Sequence, residues 1–225
     1  MSKAGENMYK VVLFDLDGTL IDPRLGIINS VTYALNKYNI EVKDSSELLK
    51  FIGPPLVVSF ETFYNFSKEK AIEATSFYRE YYKDKGVNEN VLYDGVKELL
   101  KKLHENNFIV GLATSKPEIF AKHILLHYDI LKYFDIIAGA TLDGNISSKE
   151  QVIELALSKL SNYSKNQIVM VGDRHFDING ASYHHLDSIG VLYGFGSKEE
   201  LQEANATYIV DSIERIFEIV SKKDN

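Results

Sequence analysis

Apolar positions along the chain follow two rhythms. One is the continuous run: Val11-Val12-Leu13-Phe14, then 108–113, 133–139, 167–171, 188–192 and the shorter 208–210. Runs without polar alternation are what strands buried on both faces require, and such strands belong to parallel sheets covered by helices. The other rhythm is recurrence every three or four positions. Leu25, Ile28, Val31 and Leu35 show it behind Asp22-Pro23, a helix-start pair. Leu48, Leu49 and Ile52 follow Asp44-Ser45-Ser46-Glu47, and Leu56, Phe60 and Phe63 follow Gly53-Pro54-Pro55. Ala71, Ala74, Tyr78, Tyr81 and Tyr82 lie between a capping Ser67 and a terminating Gly86. Further helices are predicted over 96–105, 117–126, from Ser147 or Ser148 to Leu160, over 198–204 and over 213–220.

Strands alternating with helices predict an α/β fold, a doubly wound parallel sheet. The alternation has one gap. Asp15 and Phe108 stand 93 positions apart, whereas a βαβ unit takes roughly 30 residues and the helix over 96–105 already supplies the crossover. Residues 22–87 are therefore a surplus of four predicted helices, inserted directly after the first strand, and 1–21 with 88–225 form the core. An insertion at that point is expected to act as a lid that excludes water from a reactive centre. Packing or dimerisation is its alternative use.

Chemistry-bearing residues collect where the apolar runs end, the side of an open α/β sheet on which ligands bind. Asp15 and Asp17 follow the first run, spaced so that both face one pocket if the backbone stays extended. Two such acids repel unless one holds a proton or a cation lies between them. Gly18 and Thr19 come next, with amides suited to an oxyanion. Thr114-Ser115-Lys116 follows the second run and precedes a helix; its hydroxyls can hold a phosphoryl oxygen or simply cap that helix. Lys149 opens a helix, where a cation opposes the dipole and asks for a reason. Asp173 and Asp177 follow the fourth run in Gly172-Asp173-Arg174-His175-Phe176-Asp177.

The D-x-D-G-T string behind an apolar strand resembles the first motif of the haloacid dehalogenase superfamily of phosphatases. Thr114 matches the second motif, Lys149 the third, and G-D-x-x-x-D the fourth, in superfamily order from Lys10 to Val220. Many relatives have Lys-Pro at the third motif, where this chain has Lys149-Glu150-Gln151. Within the superfamily the chain is most similar to phosphoglycolate phosphatase-like members, including a 5′-nucleotidase branch, on residues 51–56 and the G-D-R form of the fourth motif. The resemblance implies a Rossmann-type core with a four-helix cap. It implies Asp15 as nucleophile, Asp17 as acid and base, and Thr114 and Lys149 as catalytic partners. Gly18, Thr19, Ser115 and Lys116 would bind substrate. Mg²⁺ would be held by Asp15, Asp173 and the main-chain carbonyl of Asp17, with Asp177 orienting a water or pairing with Lys149. The implied reaction is hydrolysis of a small phosphorylated metabolite, phosphoglycolate-like or a nucleoside 5′-monophosphate. A sugar-phosphate mutase and a phospho-acceptor signalling domain are the rivals.

The totals narrow the field. A net charge of −7, from 25 basic and 32 acidic residues without a dense basic run, argues against binding a nucleic-acid backbone. Cysteine is absent, so disulfides and thiolate chemistry are excluded. The first nine residues are polar and no apolar run approaches the roughly 20 residues of a membrane helix. A cytoplasmic monomer or homodimer, with no membrane or nucleic-acid partner, is expected. His123 and His127 have i, i+4 spacing but lack the acids of a zinc motif, and His175 and His184-His185 are weighed as surface or half-buried residues. Gly194-Phe195-Gly196 reads as a loop without dinucleotide-binding spacing. Tyr78, Tyr81 and Tyr82 either meet a substrate ring or pack the helical insertion.

Overall fold

The structure, a computed structural model, describes residues 9–222. The expected extremes of the core, 1–8 and 223–225, lie outside the described residues. In chain order the elements are β1 (Val11–Phe14), β2 (Ile21–Asp22), α1 (Arg24–Asn36), α2 (Leu56–Tyr64), α3 (Lys68–Asp84), β3 (Val91–Leu92), α4 (Val96–Glu105), β4 (Ile109–Pro117), α5 (Glu118–His127), β5 (Ile136–Ala140), α6 (Lys149–Ser158), β6 (Ile168–Gly172), α7 (His175–Tyr183), β7 (Asp187–Val191), α8 (Lys198–Glu203), β8 (Tyr208–Val210) and α9 (Ile213–Val220). Asp22–Val91 forms one compact unit, and the chain on either side of it forms the other.

The larger unit is an α/β core. Six strands join in the order β5-β4-β1-β6-β7-β8, and every pairing is parallel. β1 lies inside the sheet because all four of its side chains are fully buried, which only a central strand covered on both faces allows. The strand order reverses on either side of β1, so the switch point of the doubly wound sheet falls there. Register follows: Phe14 lies opposite Leu112 of β4 and Val171 of β6. The residues after these three therefore emerge at one end of the sheet, side by side. Ile153 and Ala156 of α6 and Ala181 of α7 pack against Val11, Leu13, Ala113, Ala138 and Met170 in one buried cluster. Burying side chains of this size contributes about 1.5–3 kcal/mol for each Val, Leu, Ile or Met. The described residues contain no helix long and apolar enough to cross a membrane.

β4 runs four residues further than the expected 108–113, to Pro117, with a register shift between Thr114 and Pro117 against β5. The cause is the parallel partner, whose Ala140 pairs with Pro117 beyond the bulge. Neither Thr114 nor Ser115 caps α5, which starts after Pro117 with no side-chain cap.

The unit Asp22–Val91 is helical. Where a second α-helix is expected, Ser45–Phe51 forms a 3₁₀ helix. Asp44 starts it by accepting from Ser46 N at 2.8 Å, and Pro54-Pro55 close behind disfavour helical backbone in the preceding residues. An aromatic core holds the unit: Phe51 lies edge-on to Phe60 at 5.1 Å and Phe60 stacks on Phe66. The Lys70 ammonium lies 3.9 Å from the Phe66 ring centroid. Residues 86–89 belong with these helices because Glu89 accepts from Gly26 N through its carbonyl at 2.8 Å and from Asn29 Nδ2 through its carboxylate at 3.0 Å.

Candidate active site

Asp15 continues the ladder of β1, donating from its amide to Val171 O at 2.9 Å. The chain then turns tightly. Leu16 O accepts from Leu20 N at 2.9 Å, and Gly18 N donates to Ile21 O at 2.8 Å. Gly18 has φ +83°, a left-handed backbone that glycine adopts without strain. It is glycine on a second count, since a Cβ there would fall within 2.7 Å of Asp173 Oδ1.

Lys149 answers the question its position raises. Ser148 caps α6 by accepting from Gln151 N at 3.3 Å, while Gln151 Oε1 accepts from Ser148 N at 3.1 Å. This capping box sets the next residue facing inward. Lys149 is 5 % exposed, with Nζ 2.7 Å from Asp15 Oδ1 and 2.8 Å from Asp177 Oδ1, and it donates to Ala113 O at 3.1 Å. Burial alone would pull its pKa down, but the Asp15 and Asp177 carboxylates outweigh that and hold it above the ordinary lysine value.

Asp17 leaves Lys149 to its neighbours and pairs instead with Lys116, Nζ to Oδ2 at 2.8 Å. Its Oδ1 is buried without a hydrogen-bond partner among the described residues. Desolvation pushes the Asp17 carboxyl above the usual range, with Lys116 opposing and Asp15 adding to the shift. Thr114 is buried and accepts from Lys116 N at 3.2 Å, so its hydroxyl shapes the loop that carries Lys116. Ser115 is half-buried on the same loop.

Asp173 is wholly buried. Its Oδ2 accepts from Phe195 N at 2.8 Å, and Thr19 Oγ1 lies 3.5 Å from its Oδ1. Burial first, then the charges of Asp177 and Asp15, raise its pKa well above that of a solvated carboxyl. Asp177 accepts from Arg174 N at 3.0 Å and is likewise raised, by burial before all else. Oxygens of Asp15, Asp173 and Asp177 lie within 4.8 Å of one another. Three carboxylates around one ammonium leave a surplus of negative charge, and all-oxygen donors in that state fit a hard divalent cation.

The structure thus brings together Asp15, Asp17, Gly18, Thr19, Thr114, Lys116, Lys149, Asp173 and Asp177 at one end of the sheet. Asp177, given a supporting place in the sequence, joins Asp15 and Asp173, whereas the Asp17 side chain lies with Lys116. His123, His127, His175, His184 and His185 are not in the acidic cluster. His184 Nε2 instead lies 2.8 Å from Glu150 O, and His175 Nδ1 lies 2.6 Å from Glu200 Oε1. Two contributors escaped sequence reasoning: the Phe195 amide and the pairing of Lys116 with Asp17. Two glycines around an aromatic residue, just past a buried strand, were the available signal for the first.

A parallel doubly wound core with paired acids, a buried lysine and a further carboxylate after β6 at its switch point defines a phosphoryl-transfer hydrolase. The chain belongs to the haloacid dehalogenase-like hydrolases, whose family model matches residues 12–191, and it is a phosphatase of that type. A 5′-nucleotidase of Pseudomonas aeruginosa is 42% identical over 200 residues, 89% of this chain and 90% of its own length. The tyrosine-protein kinase PtkA of Mycobacterium tuberculosis is 37% identical over 209 residues, 92% of this chain and 70% of the relative. A crystal structure described as a predicted phosphatase from Clostridium acetobutylicum superposes with a TM-score of 0.91 at 50% identity, covering 94% of this chain and 97% of the other.

Proposed function

We propose that the chain is a Mg²⁺-dependent phosphomonoesterase acting through an aspartyl-phosphate, with nucleoside 5′-monophosphates as its substrate class. The observation that carries this reading is the separate pairing of the two acids, Asp15 with Lys149 and Asp17 with Lys116. Paired with different lysines, two carboxyls spaced i, i+2 take different roles.

Asp15 is the nucleophile. Its carboxylate oxygen attacks phosphorus, the phosphorus–ester oxygen bond breaks, and the electron pair leaves with the ester oxygen. Asp17 gives that oxygen a proton; burial suits it to hold one at a pH where a solvated carboxyl would not. The Asp17 carboxylate then takes a proton from water, which adds to phosphorus, releases inorganic phosphate and regenerates Asp15. Lys149 and the amides around Gly18, with the hydroxyls of Thr19, Thr114 and Ser115 nearby, stabilise the equatorial oxygens. Lys116 orients Asp17. Asp15, Asp173 and the main-chain carbonyl of Asp17 would hold Mg²⁺, with Asp177 as a further ligand or a support. When bound, the ion supplies Lewis-acid stabilisation of charge on the phosphoryl oxygens. The helical unit is assigned as the cap, inserted in the sequence after the first strand and ending at Val91 rather than at the expected 87.

The likeness to the P. aeruginosa 5′-nucleotidase supports the substrate class. The kinase-named relative supports a second reading, in which the phosphoryl group stays on the protein or passes to an acceptor. A panel of phosphomonoesters assayed with and without Mg²⁺ tests both. The expected result is metal-dependent phosphate release, fastest for nucleoside 5′-monophosphates and slower for phosphoglycolate and hexose phosphates. No release from any ester, with stable label on Asp15, would overturn hydrolysis in favour of the second reading. Interconversion of hexose phosphate isomers would reassign the chain as a mutase.

A further inference from the structure

The loop after β7, 193–196, has no assigned part in the reaction, yet it packs on Asp173 and on the turn that carries Asp17 and Gly18. Tyr193 OH donates to Thr19 O at 3.0 Å, closing the far end of the turn that carries Asp17 and Gly18. Burial, then the charge of Asp173, pushes the Tyr193 phenol upward, so it stays a protonated donor. Gly194 lies where a Cβ would come within 2.6 Å of Asp173 Oδ2 and closer still to Asp173 Cβ and Gly18 O. Phe195 N gives Asp173 its 2.8 Å hydrogen bond. At Gly196 a Cβ would strike the Asp173 carbonyl.

Asp173 is therefore packed closely against both Gly18 and Gly194, from segments about 175 residues apart in sequence. A carboxylate there is wholly buried and repelled by two others, and it has one backbone donor. Without such neighbours the terminal torsion of an aspartate is broad. The glycines leave room for the carboxyl in this setting, and the Phe195 amide fixes its Oδ2. Tyr193 ties the same loop to the D-x-D-G-T turn, so one segment sets the spacing between the two parts of the cluster.

We propose that Tyr193, Gly194 and the Phe195 amide are positioning elements that fix the Asp173 carboxyl in place and aim it for a divalent cation. The inference rests on Asp173 being a ligand of that cation. Gly194 carries no positive φ, so alanine adds no torsional strain there, but its methyl group must displace Asp173 and the Gly18 carbonyl. The full-length protein, stripped with EDTA, is titrated calorimetrically with Mg²⁺ alone, and its Tm is recorded with and without the ion. Gly194→Ala is expected to weaken Mg²⁺ binding at least tenfold and to lose the metal-induced rise in Tm, and the displaced neighbours lower its metal-free Tm as well. Tyr193→Phe, which removes one hydroxyl and little volume, is expected to weaken binding about threefold to tenfold. A purely structural loop would lower the metal-free Tm and leave the affinity of the folded fraction unchanged, which would overturn the proposal. Should Gly194→Ala not fold, Tyr193→Phe decides, and wild-type affinity in that variant overturns it. Wild-type protein that takes up no Mg²⁺ refutes the cation reading itself, whereas equal binding by all three proteins refutes only the role of the loop.

Discussion

Replacing Lys149 by methionine removes the one ammonium between Asp15 and Asp177 and keeps the volume and apolar stem of the side chain. At 2.7 and 2.8 Å, and with an effective dielectric near 20, the gross attraction is about 6 kcal/mol per contact. Most of that offsets the desolvation of a lysine only 5 % exposed. What the substitution exposes is the cost of leaving buried carboxylates without a partner, about 3–5 kcal/mol for a broken buried pair. At about 2–4 °C per kcal/mol for a chain of this size, the metal-free Tm should fall by about 6–20 °C near pH 8.

The loss should depend on pH with a definite sign. Asp173 and Asp177 have folded pKa values raised above their unfolded ones, by burial first and by neighbouring carboxylates. Between the unfolded value near 3.9 and the raised folded value, the native state binds more protons than the unfolded state, so stability falls as pH rises. Without Lys149 to oppose the shift at Asp177, that window widens upward. The gap in Tm between variant and wild type should be small near pH 4.5 and full near pH 8. Thermal unfolding followed by circular dichroism in EDTA measures it. An equal gap at both pH values, or no gap at pH 8, would refute the account of Lys149 as the counterion of the cluster.

Other expectations concern the two acids and the cap of α6. Asp15→Asn should lower phosphate release by about 10⁴-fold or more while far-UV circular dichroism stays unchanged, because the amide is no nucleophile; a variant with residual turnover near wild type removes Asp15 from the reaction. Asp17→Asn should lower kcat by about 10²–10⁴-fold and abolish the alkaline limb of the kcat profile, a limb expected above the ordinary carboxyl range since burial raises Asp17. Ser148→Ala should cost about 1 kcal/mol in urea unfolding, since it removes one half of the box that starts α6.

Much of the architecture was legible because parallel strands announce themselves as unbroken apolar runs, and the chemistry sits where those runs end. Asp15, Thr114 and Asp173 each follow such a run, and register alone brings the ends together, Phe14 facing both Leu112 and Val171. Lys149 was legible as an anomaly, a cation at a helix start, and its two carboxylate partners supply the reason. Less legible were features decided by partners remote in sequence. β4 continues to Pro117 because β5 offers it a partner past a bulge, which leaves no mark in the residues of β4 themselves. Asp17 and Lys116 are 99 positions apart, and nothing local to either predicts their 2.8 Å contact. Backbone donors such as Phe195 N carry no sequence signature at all. Its flanking glycines do, but only a view of Asp173 explains why a side chain would not fit there.

Hydrolysis by this route requires Asp15 to form a covalent bond to phosphorus. Asp17→Asn, mixed with a nucleoside 5′-monophosphate and Mg²⁺ and quenched in acid within the first turnover, should carry a hydroxylamine-sensitive phosphoryl group on the peptide holding Asp15, located by mass spectrometry. Stoichiometric release of phosphate in that first turnover, with no label on Asp15, would contradict it.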